Sequence, residues 1–195
     1  MASRLFAERG YAGTSLAEIA AGLGIRKPSL YNYYASKDEL FVAVFEASIR
    51  DWSQATRPAL DGEGSFRQRL ESHLRSIVSF AVDNPHTLAL CREALRNQPN
   101  GAIRVRIDEL VQRQELDYRR RLRSFFENGV ACGEIAPVPV SVLVLSWQTF
   151  IDGLISARIL ELGSLRGQSA LDGDLYLELW RLFWRGIAAS QEDIA

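Results

Sequence analysis

Helical periodicity runs through almost the whole sequence, whereas the alternation of apolar and polar residues that marks a strand is nearly absent. Glycine and proline interrupt the periodic segments, as at 62–64 and 99–101. With 195 residues, of which 47% are hydrophobic and 24% charged, the chain can bury a full core. The pattern predicts an all-α protein of about nine helices.

Three short helices are expected at the N-terminus, and side chains suited to capping mark their boundaries. Ser15 and Glu18 have the spacing of a capping box, as do Ser36 and Glu39 at the start of a longer fourth helix. A tight turn at Gly24 follows the second helix, and a proline then marks the start of the third. Two short helices joined by a tight turn, with another packed ahead of them, form a helix-turn-helix.

The third predicted helix, residues 28–34, carries polar and aromatic side chains that suit a nucleic-acid surface. Leu30 and Tyr34 lie one turn apart and are expected to face the module's own core. The outward side chains are of types that bind phosphates and base edges: Lys27, Pro28, Ser29, Tyr31, Asn32 and Tyr33. The alternative is that the three tyrosines are aromatic packing, although at least one of them must then be exposed. The net charge of −1 does not indicate nucleic-acid binding, but the two lysines, Lys27 and Lys37, lie in this region.

Several short motifs follow one another between residues 10 and 40. They are Gly10-Tyr11-Ala12-Gly13-Thr14-Ser15, Ile19-Ala20, Leu23-Gly24-Ile25, Leu30-Tyr31-Asn32-Tyr33-Tyr34 and Ser36-Lys37-Asp38-Glu39-Leu40. In order and spacing, this series resembles the TetR family of bacterial transcriptional regulators over about the first 47 residues. The resemblance implies a DNA-binding domain at 1–47 and a regulatory domain for ligand binding and dimerisation at 48–195.

The resemblance also implies which side chains contact DNA. They are Thr14 or Ser15, Lys27, Ser29, Tyr31, Asn32, Tyr33 and Lys37. Lys37 would hold a phosphate at the start of the fourth helix, where the helix N-terminus adds a partial positive charge. Arg26 stands where the family often has a small hydroxyl residue, so it adds a base or phosphate contact but caps the third helix poorly. The first helix enters the family motif partway, which indicates either a misassigned start or a short, truncated helix.

Two segments near the C-terminus are apolar over more than one side of a helix, so each must bury more than one face. One face is expected to pack on the chain's own core and the other on a second copy in a homodimer, which suits a palindromic operator. The predicted dimer interface comprises Leu143, Ile151, Leu154, Ile155, Arg158, Leu179, Leu182 and Phe183.

An effector pocket is expected between the helices of the C-terminal body. Its candidate residues are Phe80, His86, Leu88, Tyr118, Trp147, Gln148, Phe150 and Asp152. Ordinary core packing is the alternative for the aromatic residues. For Asp152 and Arg158 the alternative is an intersubunit or helix-cap pair.

Other classes of function find little support in the sequence. The two histidines, His73 and His86, have no nucleophile motif near them, and no phosphate-binding loop is present, so we expect neither an enzyme nor a cofactor. Cys91 and Cys132 match no metal spacing, and with no secretory signal or membrane span a cytoplasmic protein is expected.

The sequence therefore predicts a ligand-responsive, DNA-binding transcriptional regulator. The expected form is a repressor that a small, largely apolar effector releases from a palindromic operator. The alternative is an all-helical ligand-binding or protein-interaction module without DNA binding. Neither the effector nor the operator sequence follows from the residues.

Overall fold

A computed structural model describes the backbone of residues 1–96, 101–164 and 173–189, and their side chains except at 95–96, 157–164 and 173–176. This part of the chain contains nine α-helices, and the expected all-α class is confirmed. The helices are α1 (Ala2–Arg9), α2 (Leu16–Gly22), α3 (Lys27–Tyr31), α4 (Lys37–Thr56), α5 (Phe66–Asp83), α6 (Pro85–Arg96), α7 (Ala102–Ala131), α8 (Val140–Ser164) and α9 (Gly173–Ile187).

Serine side chains cap the starts of α2 and α4. The Ser15 hydroxyl accepts from the N–H of Glu18, whose carboxylate accepts from the N–H of Ser15, as predicted. At α4 the Ser36 hydroxyl accepts from the N–H of Glu39, but the Glu39 carboxylate accepts from the N–H of Ala35.

Two local features differ from the predicted pattern. α3 ends at Tyr31 rather than Tyr34, because the N–H of Tyr33 bonds to the carbonyl of Leu30, three residues back, and closes a tighter turn. After α4 the chain continues as a 3-10 helix, Arg57–Asp61, which the sequence analysis missed. Pro58 lies in its first turn, where a missing N–H leaves no hydrogen bond unmade.

Packing divides the chain into two compact units, which we describe separately. Unit 1 consists of residues 1–54 and 83–115, so it combines the N-terminal helices with α6 and the first half of α7. Its core is one cluster of buried side chains, to which all of these helices contribute: Leu5, Phe6, Leu16, Ile19, Ala20, Leu30, Leu40, Phe41, Val42, Phe45, Leu90, Ala94, Ile103 and Ile107. The first three helices therefore complete their core with side chains from α6 and α7, and the domain boundary at residue 47 stays a prediction.

Unit 2 consists of residues 55–82 and 116–195, and aromatic side chains form much of its described core. The Phe66 ring lies 4.1 Å from that of Phe125, 5.7 Å from that of Phe126 and 6.2 Å from that of Trp184, measured between ring centroids. The segment after α7 is fixed to the end of α9, since the N–H of Ala136 donates to the carbonyl of Ile187 over 2.9 Å. These contacts join α5, α7 and α9 in one core.

Two features are absent from the residues that the structure describes. No helix among them is both long and apolar enough to cross a bilayer. Within the same residues, no group of three or more His, Cys, Asp and Glu side chains is arranged to hold a metal ion.

Candidate nucleic-acid interface

The turn between α1 and α2 is tightly built and carries the first of the predicted contact residues. Gly10 has a φ of +71°, a conformation that favours glycine, and a Cβ on Gly13 would lie 2.4 Å from the carbonyl oxygen of Arg9. The hydroxyl of Thr14 lies 2.8 Å from the carbonyl oxygen of Gly10 and 3.1 Å from that of Leu5. Because Thr14 is only 2% exposed, its side chain serves the turn and does not reach the surface.

Ser15 is exposed at the start of α2, but its hydroxyl is occupied by the capping box. Glu18 also forms an ion pair with Arg9, with 2.6 Å between Oε1 and Nη1. Hydrogen bonds from the Ser15 hydroxyl and N–H hold the pKa of Glu18 below its usual range. The start of α2 is thus exposed to solvent and held in place by side-chain hydrogen bonds.

Leu30 anchors α3 to unit 1 and so decides which side chains point outward. Its side chain is 4% exposed within the core cluster, and Tyr34 packs half-buried against the same cluster, as predicted. Arg26 occupies the N-cap position without a side-chain capping bond, also as predicted. The turn before it passes through Gly24, which has a φ of +69°.

The outward side of α3 and the turn after it form a polar and aromatic surface. Tyr33 is 80% exposed and Tyr31 is 45% exposed, so the tyrosines are not all core packing. Lys27 and Asn32 are exposed beside them, whereas Ser29 is half-buried. The ammonium group of Lys27 lies 5.7 Å from the centroid of the Tyr31 ring, close enough for a cation–π contact.

Lys37 makes contacts that the sequence did not predict. Its Nζ donates to the carbonyl oxygens of Tyr11 over 2.7 Å and Thr14 over 3.0 Å, and it lies 4.3 Å from the centroid of the Tyr11 ring. An ammonium group has three N–H donors, so one remains beyond these two carbonyls. Lys37 therefore joins the α1–α2 turn to the start of α4.

A cleft of about 500 Å³ lies between the α1–α2 turn and the starts of α2, α3 and α4. It is lined by residues 12–17, by Lys27 and Tyr31, and by residues 35–37. The structure thus brings the predicted residues Thr14, Ser15 and Lys37 to the same concavity as the side of α3.

In unit 2 a chain of hydrogen bonds connects four elements. The Nδ1 of His73, on α5, lies 2.9 Å from the carbonyl oxygen of Thr56, the last residue of α4. Its Nε2 lies 2.9 Å from the hydroxyl of Tyr118 on α7, to which Trp147 of α8 donates its indole N–H over 3.2 Å. Tyr118 and Trp147 were predicted pocket residues, whereas the role of His73 was missed.

The acceptor atoms determine the direction of these hydrogen bonds. A carbonyl can only accept, so the Nδ1 of His73 carries the proton and its Nε2 accepts from the Tyr118 hydroxyl. Burial, and then the nearby charge of Arg57, lowers the pKa of His73 to about 4, so the ring is neutral near pH 7. One signal was available in the sequence: His73 lies on the apolar stripe of Leu70, Leu74 and Ile77, where a polar side chain needs partners.

The other predicted pocket residues are divided between the two units. Phe80, Tyr118, Trp147, Gln148, Phe150 and Asp152 belong to unit 2, whereas His86 and Leu88 belong to unit 1. Phe150 is half-buried, and its ring centroid lies 5.9 Å from that of Trp147 and 4.9 Å from that of Phe183. His86 and Asp152 are exposed. An aromatic group around Trp147 is therefore the part of the prediction that the structure brings together.

The predicted dimer residues also separate into two groups. Leu143, Ile151 and Leu154 are at most 6% exposed, so they pack inside unit 2 and offer no outward surface. Leu182 is 70% exposed, and Ile155, Leu179 and Phe183 are partly buried. Arg158 lies outside the side chains that the structure describes. The outward apolar residues of α8 are instead Val142, at 48% exposure, and Leu145, at 63%.

Comparison with known proteins agrees with this geometry. A family model described as bacterial regulatory proteins, tetR family, matches residues 1–44, which include the cleft and α3. By this match, residues 1–44 belong to the tetR family of bacterial regulatory proteins.

A similar protein is the uncharacterized HTH-type transcriptional regulator YhgD of Bacillus subtilis (strain 168). It is 24% identical over 183 residues, which make up 87% of this chain and 93% of YhgD. That relative is similar along nearly its whole length, not only in the N-terminal helices.

Solved structures show the same fold. The regulator FadR from Bacillus subtilis, in complex with stearoyl-CoA, has a TM-score of 0.71 at 18% identity and covers 95% of both chains. AibR, in complex with isovaleryl coenzyme A and operator DNA, has a TM-score of 0.67 at 21% identity and covers 93% of this chain and 92% of its own. The fold of these two solved structures therefore extends over nearly the whole chain.

Proposed function

We propose that this TetR-family protein is a transcriptional repressor that binds a palindromic operator as a homodimer and is released by a small-molecule effector. The observation that carries the proposal is the orientation of α3. Leu30 is buried at 4% exposure, while Tyr31 and Tyr33 are exposed at 45% and 80%. Exposed lysine, tyrosine and asparagine side chains on so short a helix and the turn after it suit the phosphates and base edges of a major groove, and a helical interaction module has no need of them.

Each side chain of this surface has a role that suits its chemistry. Lys27, Tyr31 and Tyr33 bind phosphates and set the register of α3 in the groove. Asn32 binds a base edge, for which adenine is the best-matched partner, and Ser29 and Arg26 bind bases or phosphates beside it. Ser15 and Lys37 contribute to a phosphate contact at the cleft. Thr14 acts only through the turn, since its side chain is buried.

The homodimer forms through the outward apolar residues of α8 and α9. Val142, Leu145 and Leu182 are 48%, 63% and 70% exposed in the single chain, and association would remove them from water. A two-fold dimer presents two copies of α3 to the two half-sites of a palindrome.

The effector is an acyl-CoA thioester whose acyl chain enters unit 2. Two similar structures, FadR and AibR, hold stearoyl-CoA and isovaleryl coenzyme A, respectively. The aromatic group of Trp147, Phe150 and Phe183 supplies apolar surface for such a chain. The buried hydrogen bonds of Tyr118 offer a polar group beside it.

α4 connects the two activities, because one continuous helix runs from Lys37, at the cleft, to Thr56, whose carbonyl His73 holds. An effector lowers the affinity for DNA if it binds best to an arrangement of this helix that DNA does not favour. DNA then lowers the affinity for the effector by the same factor. A coupling free energy of about 1–3 kcal/mol would change operator affinity roughly 5- to 150-fold.

The experiment is a fluorescence-anisotropy titration of DNA fragments from around the gene, repeated with stearoyl-CoA, isovaleryl-CoA or free coenzyme A. We expect a dissociation constant of about 10⁻⁸ M or tighter for one fragment, with release by an acyl-CoA and not by free coenzyme A. If every fragment binds equally weakly, the regulator proposal fails. If a fragment binds specifically but no acyl-CoA releases it, only the effector class is wrong.

A further inference from the structure

Tyr11, in the turn between α1 and α2, has contacts with α4 that the DNA contacts described above do not use. Its ring packs edge-on against Phe41 of α4, with 5.1 Å between centroids, and stacks at 6.4 Å on Phe6 of α1. Its hydroxyl donates to the carboxylate of Asp38, in the first turn of α4. Tyr11 therefore holds the turn through both an apolar and a polar contact.

Lys37 contacts the same turn. Its ammonium group donates to the carbonyl oxygens of Tyr11 and Thr14, and it lies over the Tyr11 ring at 4.3 Å. We call Tyr11, Lys37 and Asp38 the turn clamp. All three residues lie in unit 1, so the clamp is independent of how the two units are arranged.

The turn clamp lies where it can affect the width of the cleft. Thr14 directly precedes Ser15, the N-cap of α2, and residues 12–17 form one side of the cleft while residues 35–37 form another. A shift of the turn relative to α4 would therefore change the spacing of these two sides. Sites that depend on geometry must be held to about half an ångström, and they need supporting residues for this purpose.

We propose that Tyr11 and Asp38 are positioning residues for DNA binding: their hydrogen bond fixes the α1–α2 turn against the start of α4 and so sets the width of the cleft that receives the DNA backbone. The inference rests on the proposed DNA binding. Burial, together with the hydrogen bond and charge of Asp38, raises the pKa of Tyr11 to about 12, so the phenol keeps its proton over the physiological range and remains the donor.

The test compares Tyr11→Phe and Asp38→Ala with the wild-type chain on an operator duplex recovered by selection from random DNA. Each variant removes one hydrogen bond but leaves the apolar contacts of the ring, so we expect affinity to fall about three- to tenfold. The dependence of affinity on salt should stay unchanged, since no phosphate contact is lost. The double variant should be no weaker than either single one.

Three further variants serve as controls. Asp38→Asn keeps an oxygen that accepts from the Tyr11 hydroxyl, so its affinity should return to near that of the wild-type chain. Tyr34→Phe removes a hydroxyl elsewhere in the same module and should change affinity less than twofold. Lys37→Met removes a cation and should flatten the salt dependence by about one phosphate.

Amide hydrogen exchange gives a second readout that needs no DNA. Faster exchange of the amides of residues 12–18 in Tyr11→Phe, with the rest of unit 1 unchanged, supports the fixing of the turn by this hydrogen bond. If the wild-type chain were to bind no duplex, the regulator proposal would fail and the positioning role in DNA binding would fail with it. The clamp would be overturned if both Tyr11→Phe and Asp38→Ala bound the operator duplex with wild-type affinity and exchanged their amide hydrogens at wild-type rates. A loss of one unit of salt dependence in Tyr11→Phe would overturn it too, because Tyr11 would then be a phosphate contact.

Discussion

We expect Asn32 to be the residue that discriminates between base sequences. It is exposed immediately after α3, next to Tyr31 and Tyr33, and its amide can donate to and accept from one base at the same time. The tyrosines and Lys27 have chemistry that suits phosphates, which do not differ from one base pair to another. Affinity and specificity should therefore respond to different substitutions.

Asn32→Ala should weaken binding by about 1–3 kcal/mol on an operator with the preferred base and by much less on operators substituted at that one position. The matched control is Lys27→Ala, which should weaken binding to all duplexes alike and flatten the salt dependence by about one phosphate. Both variants can be measured by anisotropy against a set of single-base operator substitutions. Uniform weakening by Asn32→Ala would make it a backbone contact.

How much of this surface the sequence could predict depends on the range of the interactions. The outward direction of Tyr31 and Asn32 follows from helical spacing relative to Leu30, which is a local property. The contacts of Lys37 with Tyr11 and Thr14 join residues more than twenty positions apart, and only the packed core brings them together. The buried state of Thr14 likewise follows from the turn's closure and not from its residue type.

For the helices, the sequence predicted where they start but not which of their faces pack against the rest of the chain. Ser15 and Ser36 mark the starts of α2 and α4 through bonds within four residues. In α8 both Leu143 and Leu145 are apolar, yet the first is buried and the second exposed. A helix that is apolar around most of its circumference does not indicate which side meets its own chain, so the predicted dimer face was partly assigned to buried residues.

The hydrogen-bond chain through His73 links α4, α5, α7 and α8 and makes stability depend on pH. The pKa of His73 is about 4 in the folded chain, below the ordinary value of 6.5, so the unfolded chain takes up the proton first as the pH falls. This contribution to stability is complete above about pH 6.5 and is lost progressively between pH 6.5 and 4.

We expect the free energy of unfolding of the wild-type chain to fall by about 2 kcal/mol more than that of His73→Gln between pH 7 and pH 5. Urea denaturation at both pH values measures the difference. His86→Gln is the control, because His86 is exposed, and it should keep the wild-type dependence. Parallel pH dependences for the wild-type chain and His73→Gln would mean that His73 is not held neutral.

For the whole molecule, the central geometric requirement is a dimer that presents two copies of α3. The exposed apolar residues of α8 and α9 are the part of unit 2 that we expect to be covered by the second copy. Leu182 is the most exposed of them, at 70%, so substituting it should not disturb the fold of the single chain.

Leu182→Asp should produce monomers, because a carboxylate buried in an apolar interface without a partner is costly. The matched control is Leu116→Asp, at another exposed leucine, on α7 with 63% exposure, which should remain dimeric. Light scattering gives the mass in solution directly. An intact dimer in both Leu182→Asp and Leu145→Asp would assign the interface to another surface.

Selection of bound DNA from a random pool tests DNA binding, base reading and two-fold symmetry in one experiment. We predict an enriched inverted repeat whose half-site centres lie one or more helical turns apart, each turn about 34–36 Å along the duplex. The pool selected by Asn32→Ala should lose its preference at one position in each half-site. Recovery of no enriched sequence, or of a motif without an inverted repeat, would contradict the account.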